Sequence, residues 1–259
     1  MTPLAHQYCT VHRQGFIPIF VSDRFDAVML VEAAVAAGAK AVEITCRRIH
    51  VVEEIRRVRR QFPDLTLLVG SVVDDGPMLH YLKRRRPEMP SLDELAELDV
   101  DGFVSFMPLS ESTIERFSRT HLVIPGVETI PEAVTALETG AHFAKLHSID
   151  ALGGPARVAV ATSAPAHGLL PIFVTGGVTR ERIETFLDAG AALLAAGWDV
   201  LLGAAYDAQQ DDPAPQYLTD ALRRNLDTVA AARRKLNIEL LDDNTAYLRS
   251  ITHYHPFTV

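Results

Sequence analysis

Two neighbouring segments set the pattern of the chain: Ala41-Val42-Glu43-Ile44-Thr45, then Val51-Val52-Glu53-Glu54-Ile55-Arg56-Arg57-Val58-Arg59-Arg60-Gln61. The first is short and nearly free of charge, as a strand covered on both faces should be. The second sets Val51, Ile55 and Val58 at helical spacing among charged residues, which predicts an amphipathic helix. A strand followed by a helix is the repeating unit of a parallel sheet.

The same alternation extends in both directions. Strand-length apolar runs recur at Ile17–Val21, Thr66–Val69, Gly102–Phe106, His121–Ile124, His142–Leu146, Leu170–Val174 and Ala191–Ala195. Helical stretches such as Asp26–Ala37, Pro131–Glu138 and Arg180–Ala189 fall between them, and Gly38, Gly140 and Gly190 stand where helices should end. About eight such units with no long linker predict an α/β fold, a single (β/α)8 TIM barrel. A doubly wound open sheet is the competing architecture, but no G-x-G-x-x-G follows the first strand. The expected division is a barrel over residues 1–205, with a C-terminal helix and tail over 206–259 packing on the barrel or on a neighbouring subunit. That extension holds a polar stretch, Asp207–Gln216, a long helix from about Leu218 to Leu236, and a tail with Tyr247 and His253-Tyr254-His255. Pro77–Asp99 reads as an enlarged third unit, whose Lys83–Arg86 run is a solvated helix end.

Of 259 residues, 48% are hydrophobic and 22% charged, which excludes an intrinsically disordered chain. A formal charge of −8 argues against a nucleic-acid scaffold. Two cysteines, Cys9 and Cys46, exclude a disulfide framework and fit a reduced compartment. With no apolar run near membrane length and no signal-peptide pattern, the expectation is a cytoplasmic protein without membrane or nucleic-acid partners.

Reactive groups of a parallel barrel stand at the C-terminal ends of its strands. Among four lysines, only Lys145 occupies such a position. Desolvation there lowers a lysine's pKa and frees the amine to attack a carbonyl; the alternative is a lysine that holds a nearby carboxylate. Strand alternation puts Glu43 and Thr45 on one face and Val42 and Ile44 on the other. A carboxylate inside a barrel needs a partner or a task. Lys145 and Glu43 together make either a nucleophile beside a proton shuttle or a structural ion pair. Arg47 and Arg48 follow in the loop above strand two, where a guanidinium can fork onto a carboxylate. Thr175-Gly176-Gly177 ends strand seven ahead of a helix, a place for a phosphate or carboxylate.

On these residues the chain resembles the 2-keto-3-deoxy-6-phosphogluconate (KDPG) aldolases, class I enzymes that also cleave 4-hydroxy-2-oxoglutarate. The resemblance runs from about Phe16 to about Leu202. It is carried by Ile17-Pro18-Ile19-Phe20-Val21, Val42-Glu43-Ile44-Thr45-Cys46-Arg47, Ile124-Pro125-Gly126-Val127, Phe143-Ala144-Lys145 with Gly153-Gly154, and Val174-Thr175-Gly176-Gly177. It implies a lyase that joins or splits pyruvate and an aldehyde through a Schiff base on Lys145, with Glu43 moving protons through a water. Arg47 would hold the pyruvyl carboxylate. Thr175, Gly176, Gly177 and, after strand eight, Gly197 would receive the far end of the substrate. The resemblance also implies a homo-oligomer, typically a trimer, and chemistry needing neither metal nor cofactor.

The chain departs from the family at several strand ends. Gly70-Ser71-Val72-Val73-Asp74 replaces Gly-Ala-Gly-Thr, Phe106-Met107-Pro108 replaces Ser-Pro-Gly, and Leu146-His147-Ser148 replaces Phe-Phe-Pro. His147 shares the side of Lys145 by alternation. Ala195-Ala196-Gly197-Trp198 stands where the family has glycines, and a methyl at each alanine obstructs close backbone approach. Two other readings stand beside the aldolase: a non-catalytic or differently specialised ligand-binding barrel of sugar-acid metabolism, and a metal-dependent lyase using Glu43, Asp74, Asp75 and His147. Cys46 is expected to be a small apolar neighbour and Trp198 to pack at the rim.

Overall fold

The structure, a computed structural model, describes residues 3–163, 170–203 and 215–240. Eight strands alternate with helices: β1 (Phe16–Phe20), β2 (Ala41–Thr45), β3 (Thr66–Val72), β4 (Gly102–Ser105), β5 (Leu122–Ile124), β6 (Ala144–Leu146), β7 (Ile172–Thr175) and β8 (Leu193–Gly197). Every neighbouring pair is parallel, in the order β5-β4-β3-β2-β1-β8-β7-β6. The seam between β5 and β6 is closed by loop backbone. The Lys145 N–H donates to the Pro125 carbonyl at 2.9 Å, and the Val127 N–H donates to the Lys145 carbonyl at 2.9 Å. The expected (β/α)8 barrel is therefore the fold.

Alternation sorts the strand side chains. Ile17, Ile19, Leu68, Val104, Leu122, Ile124, Phe143, Phe173, Leu193 and Ala195 fill the barrel interior. Val42, Ile44, Leu67, Val69, Phe103, Val123, Val174 and Leu194 face the helical layer. Most strand residues are thus buried whichever way they point, which explains their continuous apolar runs. The outer layer includes α2 (Ala27–Ala36), capped by Asp26 at the Val28 and Met29 amides, and α3 (Val51–Gln61). α4 (Pro77–Arg85) and α5 (Leu92–Ala96) form the enlarged third unit. α6 (Glu111–Phe117), α7 (Ile130–Thr139), α8 (Pro155–Thr162), α9 (Ile183–Asp188) and the short α10 (Trp198–Leu202) follow. Thr129 and Glu132 close a capping box on α7.

Two helices frame the barrel floor. α1 (Pro3–Gln14) turns Leu4, Tyr8, Cys9 and Val11 onto the lower end of the interior, where Tyr8 stacks on Phe143 at 5.0 Å. This helix is absent from the sequence expectation, although its apolar residues keep helical spacing. α11 (Pro215–Lys235) lies against α2 and α9 in the outer layer. Its Arg233 is buried and donates to the carbonyls of His12, Arg13 and Ala192 at 2.7, 3.0 and 2.9 Å. Most of the Asp207–Gln216 stretch, together with Tyr247 and the His253–His255 tail, lies outside the described residues. No described helix is long and apolar enough to cross a membrane.

Candidate active site

The C-terminal ends of the strands surround a cavity of about 500 Å³. β2 supplies Glu43, β6 Lys145, β7 Thr175 with the Gly176-Gly177 loop, and β8 Gly197. The loop after β2 supplies Arg47. All seven line the one cavity.

Lys145 Nζ lies 4.0 Å from Glu43 Oε1, and the two residues are only 4% and 1% exposed. Space for the carboxylate comes from β3, because a Cβ on Gly70 would land on Glu43 Oε1. The other oxygen, Oε2, has no hydrogen-bond partner among the described residues, and neither does the buried Thr175 hydroxyl. Unmet polar groups of this kind are costly in a finished core and are normal where a ligand belongs. Burial pushes the Lys145 ammonium below its ordinary pKa; Glu43 opposes that shift and Arg47 adds to it. Burial likewise pushes the Glu43 carboxyl up, against the pull of Lys145 and Arg47. Both shifts favour the neutral partners, a free amine beside a carboxylic acid.

Adjacent arginines have opposite fates. Arg48 is buried and forks both oxygens of Glu54 at 2.5 Å each, while its remaining donors reach the Ser22 and Phe25 carbonyls. It pins the β2–α3 turn. Arg47 is exposed on the cavity wall and bonds to no described residue. Its guanidinium is therefore the one available to a bound carboxylate.

His147 lines the same cavity, edge-on to Phe106 at 4.3 Å, with Nδ1 at 2.6 Å from Ser148 Oγ. Burial, helped by Lys145 and Arg47, lowers its pKa to about 4, so it is a neutral imidazole near pH 7. Cys46 faces the helical layer, and burial pushes its thiol up to about 12, which suits an apolar neighbour. Trp198 stacks on Phe20 at 5.7 Å.

The metal reading finds no support in the arrangement. Asp74 accepts from the Ser110 amide and the Thr113 hydroxyl at the start of α6, and no three His, Cys, Asp or Glu side chains converge among the described residues. Sequence reasoning passed over two acids. Asp199, two residues past Gly197, lines the cavity, and Asp150 lies against Gly177 and pairs with Arg182. A charged residue just past a strand end was the available signal for Asp199.

The fold and this site bring a buried amine, a buried acid and an exposed arginine into one cavity at the strand ends of a (β/α)8 barrel. No family model matches the chain. It is 26% identical over 200 residues to the 2-dehydro-3-deoxy-phosphogluconate aldolase of Dickeya dadantii, covering 74% of this chain and 85% of that one. It is 29% identical over 176 residues to the 2-dehydro-3-deoxy-6-phosphogalactonate aldolase of Escherichia coli, covering 68% and 78%. Its fold matches that of a KDPG aldolase from Legionella pneumophila, with pyruvate captured as a covalent carbinolamine, at a TM-score of 0.61 and 19% identity over 88% of this chain and 98% of that one. The chain is thus similar in sequence to KDPG and KHG/KDPG aldolases and shares their fold.

Proposed function

We propose that this protein is a class I aldolase that cleaves or forms a 2-keto-3-deoxy sugar acid through a Schiff base on Lys145. Its coarse class, carbon–carbon lyase, follows from its homology to named aldolases. The observation that carries the finer reading is the buried amine 4.0 Å from a buried carboxyl at the strand ends.

In cleavage, the neutral Lys145 amine adds to the C2 ketone. The Glu43 acid, through a water, protonates the carbinolamine hydroxyl, which leaves as water to give a protonated imine and the Glu43 carboxylate. Glu43, through a water, takes the proton from the C4 hydroxyl. The electron pair of the C3–C4 bond then moves into the imine, leaving an enamine and releasing an aldehyde. Glu43 returns the proton to C3, and hydrolysis frees pyruvate and restores the amine. Arg47 holds the pyruvyl carboxylate, while Thr175, Gly176, Gly177 and Gly197 face the far half of the substrate. We further propose a cytoplasmic homotrimer with the barrel over residues 1–205; light scattering in solution measures the assembly directly.

Borohydride added with pyruvate should increase the protein mass by one reduced pyruvyl group, and Lys145→Ala should abolish the gain. An adduct that persists in that variant defeats the reading. The 4.0 Å ion pair also fits a ligand-binding barrel in which Lys145 and Glu43 are structural. In that case Lys145→Met lowers stability, no pyruvate adduct forms, and no keto acid is turned over.

A further inference from the structure

The phosphogluconate and phosphogalactonate aldolases named above act on phosphorylated acids, but the far wall of this cavity sets a carboxylate where a phosphate would approach. Resting on the aldolase reading, we infer that the aldehyde half of this protein's substrate carries no phosphate and is an uncharged hydroxyaldehyde, with Asp199 as the residue that rejects the phosphorylated analogue.

A phosphate dianion leaves water for arginine or lysine partners or for free backbone N–H groups. The Gly176-Gly177 turn offers N–H groups bonded to no described residue, so the charge around it decides. The cations on the cavity wall, among the described residues, are Lys145 and Arg47. The reaction uses the first, on β6, as nucleophile and the second, after β2, for the pyruvyl carboxylate. The β7–β8 side offers the opposite charge. Asp199 is exposed on the wall beside Gly197, so close that a Cβ on that glycine would collide with its carboxylate. Next to it, a Cβ on Gly177 would collide with the Asp150 carboxylate, so an acid already stands against the glycine loop. Arg182, the cation nearest that loop, is committed: it pairs with Asp150 and donates to the Gly177 carbonyl at 2.9 Å, and it does not line the cavity.

The rest of the far wall suits a neutral chain. Val21, Ala196 and Val200 give it apolar surface, and the unpartnered Thr175 hydroxyl offers a hydrogen bond to a substrate hydroxyl. Placing a dianion beside Asp199 would set like charges together in a partly desolvated site.

The test runs the wild-type protein in the synthetic direction with pyruvate and either D-glyceraldehyde or D-glyceraldehyde 3-phosphate, which differ only in the phosphate. The kcat/KM for glyceraldehyde should exceed that for the phosphate ester by at least about tenfold, and Asp199→Asn should shrink this ratio by about tenfold. A preference for the phosphorylated aldehyde, a ratio unmoved by Asp199→Asn, or no aldol from glyceraldehyde overturns the inference. Failure of the aldolase reading shows separately: pyruvate then gives no borohydride-stable adduct at all, and the inference falls with it.

Discussion

The two ends of the barrel bury charge in opposite ways. At the floor, Arg233 gives three hydrogen bonds to carbonyls, and Asp101 accepts from the Leu67 amide and the Arg59 guanidinium at 2.7 Å each. Individual atoms there are left over, such as Arg233 Nε and Arg59 Nε, yet each of those arginines is anchored through its other nitrogens. At the mouth, Glu43 and Thr175 make no hydrogen bond to any described residue through Oε2 and Oγ1, and Lys145 sits at the outer limit of an ion pair. Saturated charge holds a fold together, whereas unsaturated charge in a cavity is kept for something that arrives.

Replacements at the two ends should therefore separate cleanly. At the mouth, Glu43→Gln should lower kcat by about 10³-fold, since it keeps the shape but removes the proton carrier. Stability should hold or rise, because a buried ionisable group has gone; rapid-quench kinetics and a denaturation curve give the two readings. A variant that unfolds while keeping its turnover would place Glu43 with the floor residues.

At the floor, Arg233→Ala should remove about 3 kcal/mol of stability, as three carbonyls lose a charged donor in a buried site. The kcat of the folded fraction should stay within about twofold, because α11 does not reach the cavity. Urea unfolding followed by activity at low denaturant measures both.

A smaller effect comes from His12, buried under the barrel, whose pKa is lowered to about 4 by burial and then by Arg233 and Arg13. The folded state favours neutral imidazole, so the unfolded chain takes up a proton first as pH falls. The contribution of His12 is whole above pH 6.5 and is lost between 6.5 and about 4, on the order of 3 kcal/mol in full. His12→Asn should flatten that part of the stability–pH curve, and an unchanged slope would assign it to other groups.

Much of this was legible in the chain because a two-sided buried strand writes its period plainly. Ala41–Thr45 and Val51–Gln61 have the bounds read from sequence, and alternation along β2 already turned Glu43 inward. Lys145 followed from the same logic. What escaped depends on contacts distant in sequence. The α1 helix looks merely polar at its ends, and only the floor of the barrel gives its Leu4–Tyr8–Val11 stripe a meaning. Arg233 is one basic residue among several on α11 until His12 and Ala192 arrive beneath it. The division between Arg47 and Arg48 was not readable either. Strand alternation ends at Thr45, and the turn beyond it, held by the Arg48 amide on the Thr45 carbonyl at 3.1 Å, decides which guanidinium goes inward.

The seam between β5 and β6 gives the reactive lysine a second duty. Its own peptide groups are stitches that fasten β6 to the backbone that follows β5. The pose of the amine is therefore tied to the integrity of the join. Gly126 guards that join, since any larger residue there would strike the Phe106 carbonyl and wedge the edges apart. A change at this distant-looking glycine would misaim the nucleophile without altering a single atom of it.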